Sequence, residues 1–88
     1  MYTLVHYFKQ TEGLASKEQD YQRNDNNGEV FRLRRDALHF VLEIVQQEYR
    51  DLGFATEPRV GGIYCFKSEK TAQGDRKITE IIIKVEKA

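Results

Sequence analysis

The stretch VFRLRRDALHFVLEIVQQEYRDLGF, residues 30–54, changes its hydrophobic period part-way along. Over 29–34 apolar and basic residues alternate. Val30, Arg32 and Arg34 fall on one side, Phe31 and Leu33 on the other. That period of two predicts a short, half-buried strand with the arginines on its outer face. From 37 to 52 the apolar spacing becomes three and four. Leu38, Val41, Leu42, Val45, Tyr49 and Leu52 line one face of a helix, and Phe40 and Ile44 widen the stripe. Asp36 reads as the N-cap, since a carboxylate there can accept from the open amides of the first turn. Gly53 reads as the left-handed residue that ends the helix, with Phe54 positioned to touch Tyr49.

Strands are predicted on both sides of this unit. YTLVHYFK (2–9) is rich in β-branched and aromatic residues, and IYCFK (63–67) and KITEIIIKVE (77–86) flank the polar stretch SEKTAQGDR. The last two read as a hairpin with a long tip. Residues 10–28 form the polar part of the chain and are expected to be a loop. Ser16 and Gln19 make a weak capping pair for a short helix near 17–23, and NDNNG (24–28) reads as a turn. Pro58, Gly61 and Gly62 are expected in a loop. The whole chain, 1–88, then forms one α+β domain: a four-stranded, mainly antiparallel sheet in the order β-β-α-β-β, with one long helix packed on one face.

An 88-residue chain builds a single modest core. Fourteen Lys and Arg balance 14 Asp and Glu, for a formal net charge of zero. No global field therefore draws the chain to nucleic acid or to an anionic membrane, and little self-repulsion opposes association. With one cysteine, Cys65, no internal disulfide can form, which fits a reducing cytoplasm. MYTLVHYFKQ lacks the basic and apolar regions of a signal peptide, and no run approaches the about 18 apolar residues of a membrane span.

Chemistry is sparsely represented. His6 and His39 are the two histidines, without metal-site spacing to each other or to Cys65, so no metal or other cofactor is expected. His39 with Glu43 makes a surface helix pair. Cys65, between Tyr64 and Phe66, reads as a buried, unreactive thiol. Ser16 and Ser68 sit in no nucleophile elbow, no carboxylate pair is spaced for acid–base work, and Gly28, Gly61 and Gly62 fit no phosphate loop. The reading leans away from an enzyme. The enzymatic version that survives is a small dimer with a pocket between subunits, where His6, Tyr7 or Tyr64 acts.

Two binding readings remain. The aromatic residues Tyr2, Tyr7, Phe8, Phe31, Tyr64 and Phe66 on a sheet suit single-stranded nucleic acid, with Arg32, Arg34 and Arg35 on phosphates. RVGGIYCF (59–66) meets the RNA-binding pattern only at Arg59, Gly62 and Phe66. Glu29 and Asp36 flank the arginines, and a solvated strand edge accounts for them. The preferred reading is self-association. One helix covers one sheet face, yet the last strand is apolar on both: Ile81, Ile83 and Val85 on one side, Ile78 and Ile82 on the other. A homodimer whose seam includes Ile78 and Ile82, or Phe40 and Ile44, would cover the surplus. A further protein partner is compatible with the same surface; a membrane is not expected.

Overall fold

The structure is a computed structural model that describes residues 1–12 and 21–88, and of 25–29 the backbone only. The strands are β1 (Tyr2–Glu12), β2 (Gln22–Phe31), β3 (Ala55–Arg59), β4 (Gly62–Lys70) and β5 (Arg76–Lys87). They form one sheet in the order β2-β1-β5-β4-β3, each neighbour antiparallel to the next. A single helix, α1, joins β2 to β3. It is α-helical over Arg34–Phe40, takes a wider π turn over Val41–Val45, and is α-helical again over Gln46–Asp51.

The α+β class, the antiparallel sheet and the single long helix agree with the sequence. The strand count does not: the described sheet has five strands, not four. The additional one is β3. Pro58 argued against a strand there, but β3 is the sheet edge, where proline's missing amide can face solvent. The polar region also departs from the loop reading. Residues 10–12 extend β1 and 22–28 belong to β2. NDNNG is absorbed as a bulge rather than a turn: Thr3 pairs with Val30 and Val5 with Asp25, so four residues, 26–29, stand against Leu4 alone. The expected short helix near 17–23, with Ser16 and Gln19, lies mostly outside the described residues.

The arginines correct a second expectation. β2 ends at Phe31, so Arg32 lies in the bend after it, and Arg34 and Arg35 open α1. They do not form the outer face of a strand. The N-cap is Leu33, whose carbonyl accepts from Asp36 and Ala37 amides, with no side-chain cap. Asp36 instead sits within the first turn, where its charge meets the positive end of the helix dipole.

The far end of α1 is as the sequence implies. Gly53 has φ +90°; its amide donates to the Arg50 carbonyl at 2.9 Å and that of Phe54 to the Tyr49 carbonyl at 3.0 Å. This is a Schellman closure, and the Tyr49 and Phe54 rings meet edge-on at 5.3 Å. Lys67 Nζ donates to the Leu52 carbonyl at 2.9 Å, tying β4 to the helix terminus.

The buried line of α1 is Ala37, Val41, Val45 and half-buried Tyr49, a strict i+4 series, whereas Leu42 and Leu52 are exposed. In a regular α-helix such a series drifts by about 40° per step. The wider π turn rotates less per residue and holds the line on the sheet. Leu4, Ile63, Cys65, Ile81 and Ile83 complete the core from β1, β4 and β5. Gln46, also buried, turns its amide oxygen to the Thr56 hydroxyl at 2.8 Å and its nitrogen to the Leu42 carbonyl at 3.0 Å, fastening α1 to β3. Gly62 permits the closest strand approach: a Cβ there would stand 1.8 Å from the Ile83 carbonyl oxygen.

Candidate functional site

Strand alternation divides the sheet cleanly. On β5, Thr79, Ile81 and Ile83 are buried toward α1, and Ile78, Glu80, Ile82, Lys84 and Glu86 alternate onto the other face. Cross-strand pairing adds Tyr7 and Lys9 from β1, Tyr64 and Phe66 from β4, Glu57 and Arg59 from β3, and Arg23 from β2. α1 packs on the other side; on this open face Val5, which pairs with Lys84, is nonetheless buried.

Its side chains are tied to one another. Tyr7 donates to Glu86 at 2.7 Å and accepts from Arg23 Nη1 at 3.1 Å, while Arg23 also pairs with Glu86 at 3.4 Å. Tyr64 donates to Glu80 at 2.6 Å, and Tyr21 reaches the same carboxylate oxygen at 3.4 Å. Cations lie over the rings: Arg59 over Tyr64 at 4.2 Å, Lys84 over Tyr7 at 5.2 Å, Lys9 over Tyr21 at 5.4 Å. All three phenols are held above the usual tyrosine pKa. For Tyr7 the main cause is its hydrogen bond to Glu86; for Tyr21 and Tyr64 it is burial, then Glu80. The result is a fixed lattice of phenols and charges around Ile82.

The other sequence candidates are dispersed. Ile78 and Ile82 share the open face, both partly buried. Phe40 is turned inward, its ring 5.4 Å from that of Phe31, and Ile44 is about half exposed on α1. Arg32, Arg34 and Arg35 are exposed at the β2–α1 junction, with Arg34 beside Gly61. None of them is among the cations over the tyrosines. The aromatics divide: Tyr2 and Phe31 pack against the core under α1, while Tyr7, Tyr64 and Phe66 are on the open face. His6 pairs across strands with buried Ile83 on the helix side, so it does not meet Tyr7 or Tyr64. Cys65 is fully buried and its thiol is pushed up to about 11 by desolvation. Among the described residues no three His, Cys, Asp or Glu converge, and no helix is long and apolar enough to cross a membrane.

Arg23 gave no sign in the sequence, and Arg59 entered only through a poor match to an RNA-binding pattern, because each lies in a strand that the polar sequence disguised. The alternation of Glu80, Ile82, Lys84 and Glu86 was the available signal. The chain matches no family model, no curated protein and no solved structure.

Proposed function

We propose that the protein is a small cytoplasmic binding protein that self-associates as a two-fold dimer through the open face of its sheet. The observation that carries this reading is a row of five residues, one per strand, in direct register: Arg23, Tyr7, Ile82, Tyr64 and Glu57. Its centre is aromatic and aliphatic, and its ends carry opposite charges. A two-fold axis running along β5 reverses the row. Arg23 of one copy then stands opposite Glu57 of the other, Tyr7 opposite Tyr64, and Ile82 opposite itself.

Size is consistent with this. Five strands about 4.8 Å apart, and nine residues of β4 at about 3.4 Å each, span on the order of 700 Å². A standard interface takes about 800 Å² per partner, with tyrosine and arginine enriched at its centre. The helix flank named by Phe40 and Ile44 is a weaker candidate, because Phe40 is committed to the core.

Single-stranded nucleic acid is the competing occupant, and the rings with cations over them favour it. The charges do not. Around the central row Lys9, Arg23, Arg59 and Lys84 are answered by Glu57, Glu80 and Glu86; the other cations that alternation puts on this face, Lys70 and Arg76, stand at the far end of the β4–β5 hairpin, so the attraction for phosphates around the rings is small. Light scattering at micromolar protein tests the proposal: a mass near twice 10.3 kDa is expected, moving toward that of a monomer in Ile82→Lys with the helix signal kept. A monodisperse monomer at high concentration overturns it. Salt-sensitive binding of an oligonucleotide by such a monomer would favour the competing reading.

A further inference from the structure

On the opposite side of the sheet, a cavity of about 290 Å³ opens between β1 and the helix α1, from Phe40 to its C-terminal end. Leu4 and Val45, both buried, form its floor, and Phe40, Tyr49 and Leu52 its walls; His6 and Glu48 bring the polar groups. We propose that this cavity is a binding site for a small organic cation, an amine carried on a single aromatic or alicyclic ring. It is independent of the dimer face.

The volume sets the body of the ligand. It lies at the lower end of the range for small-molecule sites, about 300–1,000 Å³. A dry apolar cavity of about 150 Å³ already admits benzene, so a ring with a short side chain fits. The floor and walls offer it aliphatic and aromatic contact.

Charge sets the head. Among the described residues Glu48 is the one formally charged member of the lining, and it is exposed, so it stays solvated until a ligand arrives. Burial lowers the His6 pKa, which leaves a neutral imidazole that accepts a hydrogen bond from an ammonium and does not repel it. The lining residues from Val45 to Leu52 lie at the C-terminal end of α1, the negative end of its dipole. The Phe40 and Tyr49 rings also favour a cation over an anion. Among the described residues no lysine or arginine lines the cavity. An isosteric carboxylate would face Glu48 and the same dipole with no compensating charge.

Two-dimensional amide NMR of the folded chain, titrated with phenethylamine and separately with 3-phenylpropionate, tests this. The amine should give saturable shifts at Leu4, His6, Val45, Tyr49 and Leu52 in the millimolar range, and the carboxylate should bind at least about five-fold more weakly. Glu48→Gln should weaken the amine by up to about five-fold, the scale of an exposed ion pair, and leave the carboxylate no weaker. Leu52→Trp, at an exposed position, should fill the opening and abolish the shifts without unfolding the chain. Equal affinity for both probes, indifference to Glu48→Gln, or no saturable shift with the amine would each overturn the proposal. None of these readouts depends on the oligomeric state.

Discussion

Tyr64 and Glu80 lie diagonally across β4 and β5, and the Tyr64 hydroxyl donates to the Glu80 carboxylate at 2.6 Å. The carboxylate is therefore a partner that the phenol can keep only while protonated. Burial and Glu80 together raise the Tyr64 pKa, so its ionisation is delayed beyond that of an ordinary tyrosine. Ultraviolet titration of the native protein should show fewer tyrosinates near pH 11 than the unfolded chain. Glu80→Gln should bring two phenols, Tyr64 and Tyr21, part of the way back toward normal, since burial still raises both. No change in Glu80→Gln would refute the assignment.

The sign of the linkage follows. A phenol whose folded pKa exceeds its unfolded value, about 10, contributes its full stability below that pH. The contribution is lost as pH rises through the folded pKa, because the unfolded chain releases the proton first. Tyr7, Tyr21, Tyr49 and Tyr64 are all shifted in this direction. Denaturant midpoints should fall above about pH 10, and Tyr64→Phe should flatten that fall. A stability independent of alkaline pH would exclude the raised values.

Cys65 should react slowly in the native state. It is fully buried, and its thiol titrates near 11, so little thiolate exists at pH 8 and less is accessible. Labelling by a disulfide reagent should be slower than in the unfolded chain by orders of magnitude and should track global unfolding. Native labelling at the unfolded rate would contradict the burial.

Replacing Val41 with Asp should unfold the protein. Val41 is fully buried at the centre of the i+4 line, and an unpaired carboxylate there costs several kcal/mol against a total of roughly 5–15. Circular dichroism reads the result directly; a cooperative transition at the wild-type midpoint would refute the core. By contrast, Arg32→Ala with Arg34→Ala should change stability by less than about 1 kcal/mol, since both side chains are exposed at the β2–α1 junction.

The contrast between the two halves of the chain explains what the sequence could convey. The C-terminal end of the helix was legible because Gly53 and Phe54 are read by local geometry alone; its start was not, since Leu33 and not Asp36 is the N-cap. β4 and β5 were legible because period-two alternation is a local property too. β2 and β3 were not. Asn24, Asp25 and Pro58 disfavour strands intrinsically, and they are accommodated because β1 and β4 pair with them directly. The π turn left no local mark; Val41 and Val45 keep to one line only in contact with the sheet. The cations of the open face went unrecognised for the same reason, because Arg23 and Arg59 acquire their neighbours by register and not by sequence proximity. Arg32, Arg34 and Arg35 are neighbours in sequence but stand at the N-terminal end of the helix.

The charged ends of the central row give the dimer its most specific test. With the two-fold axis along β5, each interface contains two contacts between Arg23 of one copy and Glu57 of the other. Arg23→Glu alone makes both contacts repulsive, and so does Glu57→Arg alone. Each variant should therefore shift toward monomer. An equimolar mixture of the two is different: one chain carries positive charge at both positions, the other negative, and both contacts are again complementary. Light scattering of the mixture should recover the dimer mass. Arg23→Glu also sets a carboxylate beside Glu86, which Arg23 now pairs with at 3.4 Å. That local cost is intramolecular and persists in the mixture, so it cannot produce recovery. Two variants that remain monomeric when mixed, or that remain dimeric when separate, would rule out this axis.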